Sequence, residues 1–109
     1  MDWQEWLHSF GGELSNLAVG ELKDLIETAK SDSEQFTKRQ GEKVENYLNQ
    51  LASHKITKEQ FEGYMKDIKD LTEMKALQME VEAKARAQRL ADGIKNIIIE
   101  KLLKLIITT

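Results

Sequence analysis

Cysteine and proline are both absent from this chain of 109 residues, and glycine occurs only six times. Without thiols there is no disulfide, no cysteine nucleophile, no iron–sulfur cluster and no cysteine-ligated zinc, which fits a reducing compartment. The cytoplasm is therefore the expected location. Long apolar runs are missing as well: no stretch approaches the ~18 to 20 residues that a membrane span needs. The opening Met1-Asp2-Trp3-Gln4-Glu5 lacks the basic start and apolar stretch of a secretory signal. Nor is there a phosphate-cradling G-x-x-x-x-G-K-[ST], a G-x-G-x-x-G after a strand, or a nucleophile elbow. Neither an enzyme nor a bound cofactor is expected.

What is present favours helices. Charged residues make up 32% of the chain, and glutamate, lysine, leucine, alanine and glutamine are abundant. A chain of this length forms one domain at most, so residues 1–109 read as a single all-α domain. The strongest local signal is Ile56-Thr57-Lys58-Glu59-Gln60-Phe61. Thr57 and Gln60 form a capping box, and Ile56 can clasp Phe61 outside the opening turn. The short connection from Ser53 to Ile56 makes the flanking helices antiparallel neighbours.

Three helices follow from the apolar spacing. Asp2 is a plausible N-cap for a short helix over 2–10, with Trp3, Trp6, Leu7 and Phe10 on one face and Gly11-Gly12 ending it. A stripe from Leu14 through Leu22, Ile26, Ala29, Phe36, Val44 and Leu51 reads as one helix over 13–52, about 60 Å long. Ser31 and Glu34 offer a second capping box within it, but Ala29 and Phe36 are seven apart and keep the stripe in register. The third helix, over 58–107, places Phe61, Tyr64, Met65, Ile68, Leu71, Met74, Leu77 and Val81 on its face, with Gly93 as its weak point. The expected architecture is thus a long antiparallel helical hairpin turning near 53–57, with a short N-terminal helix, completed to a bundle by oligomerisation. Its pairing sets Phe36 near Lys75 and Leu22 near Arg89.

Charge supports that folding back. Residues 1–53 carry ten acidic and five basic side chains, residues 54–109 nine acidic and eleven basic. The acidic start and the basic finish should attract. The hairpin also joins the tryptophan-bearing start to the isoleucine-rich end, where the apolar residues of 94–107 spread over about 220° of an α-helical wheel, wider than one partner helix covers. Candidate interface residues are Trp3, Trp6, Phe10, Ile94, Ile97, Ile98, Leu102, Leu105 and Ile106. The expected function is a non-enzymatic structural or adaptor protein that forms a homo-oligomer, or meets another helical protein, through this end.

Two alternatives carry their own residues. The basic amphipathic segment 94–107 resembles in composition a helix that lies on a membrane surface. Glu5 and His8 have the E-x-x-H spacing of carboxylate metal bundles, yet they edge the apolar stripe, and no metal ligand is assigned. His54, in the turn, is read as capping the preceding helix rather than as a base. Lys84, Arg86 and Arg89 form a short basic stretch without interleaved aromatics, better matched to the acidic first half than to nucleic acid.

Overall fold

The computed structural model of the chain describes residues 2–108, with side chains as far as Ile106, and the regular structure within them is helical. Helix α1 spans Trp3–His8, α2 Gly12–Lys30, α3 Gln35–Ala52, α4 Lys58–Ala76 and α5 Val81–Gly93. From α5 the chain continues unbroken into a π-helical segment, Ile94–Leu102, and then α6, Leu103–Thr108. These last three make one C-terminal rod.

Several starts and stops follow directly from local chemistry. Asp2 caps α1, its carboxylate accepting the Gln4 N–H at 2.8 Å. Gly11 and Gly12, at φ +74° and +85°, make the turn into α2 in a region that side chains other than glycine rarely enter. The turn 53–57 is closed by His54 at φ 60°, whose N–H donates to Leu51 O. Thr57 Oγ1 accepts from Gln60 N at 3.1 Å while Gln60 Oε1 accepts from Thr57 N at 2.9 Å, completing the capping box.

Neither long helix is continuous. The expected helix over 13–52 is divided at Ser31–Glu34 into α2 and α3, which fold back on each other. The break uses Asp32 rather than Ser31: its Oδ1 accepts the Glu34 N–H at 2.8 Å, and Arg86 of the C-terminal rod grips the same carboxylate. Close approach of the two helices is possible because residue 41 has no side chain. A Cβ there would lie 2.7 Å from Ala29 Cβ and 3.1 Å from Lys30 N. The expected helix over 58–107 is likewise divided, at Leu77–Glu80. Gly93, taken from sequence as the weak point, is instead helical at φ −64°, ψ −42°. Its missing side chain admits Leu25, which a Cβ at this position would strike.

The result is a bundle measuring 41 × 24 × 21 Å, well short of the expected ~60 Å rod. Lys75 lies over the Phe36 ring and Tyr64 stacks on Tyr47 at 4.4 Å, so α4 runs back along α3. The pairs Asp32–Arg86 and Glu21–Lys101 likewise run the rod back along α2, closing the ring of four. Helix α1 lies against α2 and α3, its Trp3 N–H donating to Asn49 Oδ1 at 3.1 Å. One chain supplies all four helices, so no second copy is needed to close the bundle.

The π turns have a physical use. Leu90, Ile94, Ile98, Leu102 and Ile106 recur every four residues and are all 3% exposed or less. An α-helix overshoots a full turn by about 40° in four residues, so this stripe would swing by roughly 160° along the rod. Wider π turns take back part of that drift and hold the stripe toward the core. The 220° spread drawn on an α-helical wheel is therefore narrower in the folded chain.

Candidate interaction surfaces

The nine candidate interface residues separate into two groups. Trp3, Trp6, Ile94, Ile98, Leu102 and Ile106 are buried in the chain's own core. Phe10 and Ile97 are partly buried against that core, Phe10 edge-on to Trp6 with ring centroids 5.1 Å apart, and Leu105 is half-buried. Six of the nine are thus occupied within the fold, the two tryptophans of α1 among them. Ile97 and Leu105 remain on a surface, where they meet residues assigned from sequence to the buried stripe of the second helix.

That surface is a groove between the first turns of α2 and the rod, about 490 Å³ in volume. Leu14, Leu17 and Ala18 form one wall, Ile97 and Leu105 the other. Leu14 is 72% exposed and Leu17 58%, although both belong to the apolar pattern. The core face of α2 is instead Ser15, Val19, Leu22, Ile26 and Ala29. Two apolar stripes therefore run side by side on α2, and only one is covered. Glu21, Glu100, Lys101 and Lys104 rim the groove, with Lys101 Nζ 3.4 Å from Glu21.

A second exposed apolar surface lies at the opposite end, where α4 turns into α5. From Ile68 onward the core face of α4 is made of Thr72 and Ala76, and the facing part of α5 of Ala87 and Ala91. The Thr72 hydroxyl donates to Ile68 O at 2.7 Å and so satisfies itself within the helix. The large residues expected inside, Leu71, Met74, Leu77 and Val81, face outward at 39, 64, 71 and 84% exposure. Sequence spacing alone selects the larger side chains for the core. The small ones win here because they let the two helices approach. A groove of about 640 Å³ borders this patch, lined by Asp70, Glu73, Met74, Leu77, Gln88, Ala91 and Asp92.

Between α2 and α5 a third cleft, about 430 Å³, holds the Asp32–Arg86 pair. Arg86 donates to Asp32 through Nε at 2.8 Å and Nη2 at 3.2 Å, and the Asp32 side chain is only 3% exposed. Burial alone would raise the Asp32 pKa. The Arg86 hydrogen bonds, the Glu34 N–H and the Arg86 charge outweigh it and hold the carboxyl below its usual value. With Lys101–Glu21, this pair realises the attraction of the basic finish for the acidic start. Arg86 is thereby committed within the chain.

Glu5 and His8 are exposed, and His8 Nδ1 lies 2.9 Å from Asn16 Oδ1. Among the described residues no three of His, Asp or Glu gather as a metal site would need, and no helix is long and apolar enough to cross a membrane. The geometry defines a small all-α bundle with two uncovered apolar surfaces. Comparison of the chain with protein-family models, curated protein sequences and solved structures returned no match.

Proposed function

We propose that this protein is a non-enzymatic structural or adaptor protein that self-associates through the groove between α2 and the C-terminal rod. The observation that carries the reading is the exposure of Leu14 and Leu17, at 72 and 58%, beside Ile97 and Leu105 in one apolar cleft. Contiguous apolar surface of this kind on a small protein marks an interaction site, because covering it releases water at about 25 cal/mol per Å². The rim of paired and mixed charges suits a protein surface, where carboxylates and ammonium groups find opposite partners. This reading keeps the proposed interface at the apolar end expected from sequence but centres it on Leu14 and Leu17, with Ile97 and Leu105 beside them.

A membrane-surface role for 94–107 is the weaker reading. It requires that segment's apolar face, yet Ile94, Ile98, Leu102 and Ile106 are inside the bundle. Light scattering of the purified chain beside the double variant Leu14→Glu, Leu17→Glu tests the proposal. The parent should form a dimer or larger species and the variant a monomer with unchanged helicity. Equal masses for the two would refute the assignment of this groove, whereas salt-sensitive co-sedimentation with anionic vesicles would favour the membrane reading.

A further inference from the structure

We infer that the cleft between α2 and α5 is a binding site for a small zwitterion, an α-amino acid with an aliphatic side chain. The charged groups that remain after the chain has paired its own select this class. Five charged residues line the cleft: Glu21, Asp24, Asp32, Arg86 and Arg89. Glu21 faces Lys101 at 3.4 Å, and Asp32 is gripped by Arg86. Asp24 and Arg89 remain. Both are exposed, and neither makes an ion pair or hydrogen bond with any described residue, each other included. The cleft therefore presents one unspent carboxylate and one unspent guanidinium. A plain anion would answer Arg89 and meet Asp24 as a like charge, and a plain cation would do the reverse. A molecule carrying both charges answers both.

The rest of the lining suits an apolar body. Ala29 and Leu90 are buried, and Leu25 and Ile97 are partly buried against the core while lining the cleft. At about 430 Å³ the cleft falls within the roughly 300 to 1,000 Å³ of small-molecule sites, which combine apolar walls with a few polar groups. Thr37 is one of those groups. It is 1% exposed, it lines the same cleft, and its hydroxyl has no hydrogen-bond partner among the described residues. A buried hydroxyl left unbonded is costly, and its place in the cleft wall gives a ligand a bond to complete. Glu21 and Ile97 belong to the walls of both this cleft and the groove of Leu14 and Leu17, yet filling the one does not require covering the other.

Titration of the isotope-labelled chain with leucine, followed through its backbone amide signals, tests this directly. Leucine at millimolar concentration should shift the amides of 24–29 and 86–93 in a saturable way. Isocaproate is leucine without its ammonium group, and isoamylamine is leucine without its carboxylate. Each should bind about tenfold more weakly, since each gives up one charge-assisted bond. Glycine keeps both charges but has no apolar body, and it should be weaker as well. Arg89→Gln and Asp24→Asn alter exposed side chains without partners, so both variants should fold, as circular dichroism would verify. Arg89→Gln should bind leucine and isoamylamine alike, and Asp24→Asn should bind leucine and isocaproate alike. The absence of any saturable leucine shift in the cleft would overturn the inference. So would isocaproate or isoamylamine binding the parent as tightly as leucine does, because the site would then read one charge only.

Discussion

Asp32 and Arg86, 54 residues apart, are joined by two hydrogen bonds of 2.8 and 3.2 Å, and the same carboxylate accepts the Glu34 N–H. One side chain thereby turns α2 into α3 and ties that turn to α5. The Asp32 carboxyl is held below its ordinary pKa of 3.8, so the ionised form is favoured in the folded chain. Its contribution is complete above that ordinary value and is lost as pH falls through the lower folded one. Asp32→Asn should lower stability by about 1 to 2 kcal/mol near neutral pH. Thermal unfolding of parent and variant should converge in acid, as pH falls below the ordinary carboxylate value and the parent carboxyl becomes protonated too. A stability difference that does not shrink with acid would contradict this role.

Two of the helical glycines, Gly41 and Gly63, should respond in opposite directions to alanine. A Cβ at Gly41 meets Ala29 at 2.7 Å, whereas one at Gly63 has nothing within 4 Å. Alanine in an exposed helix interior gains up to about 1 kcal/mol over glycine, so Gly63→Ala should stabilise by that order. Gly41→Ala gains the same propensity but forces α2 and α3 apart, with a net loss of about 1 to 2 kcal/mol. Urea unfolding midpoints of the two variants provide the comparison.

Ser15 is fully buried, and its hydroxyl has no hydrogen-bond partner among the described residues. Desolvating that group without a bond costs about 1 kcal/mol or more. Ser15→Ala should therefore raise stability by about 1 kcal/mol, aided by the helix preference for alanine. An unchanged or lower unfolding temperature would count against an unpartnered hydroxyl at this site.

The parts of the fold legible in sequence are those governed by neighbours in the chain. The Asp2 cap, the Gly11-Gly12 turn and the Thr57–Gln60 box each depend on residues within a few positions, and each is present. The approach of Lys75 to Phe36 follows from counting outward from that box. The break at 31–34 has a local signal in Ser31 and Glu34 that the unbroken stripe outweighs, and the break at 77–80 has none in the sequence reading. An unbroken apolar period is compatible with continuation or with folding back, and the choice is made by contacts between distant residues. Arg86 must reach Asp32, and Ala29 must meet Gly41, before a turn at Ser31 gains over another helical turn. The same limit applies to the surfaces. Leu14, Met74 and Leu77 carry the pattern of core residues, and only the close packing allowed by Thr72, Ala76, Ala87 and Ala91 leaves Met74 and Leu77 outside.

The tryptophans belong to the legible part. The helical spacing of Trp3 and Trp6 fits core packing better than a partner anchor, and they anchor this chain to itself, at 2 and 9% exposure. Their place at a surface would have required α1 to stand away from the bundle.

Self-association is the central claim, and sedimentation velocity of the unmodified chain over a range of micromolar concentrations tests it most directly. The account predicts that the weight-average mass rises with concentration above the 12.6 kDa of one chain, and that Leu14→Glu with Leu17→Glu abolishes the rise. A single 12.6 kDa species at every concentration would contradict it.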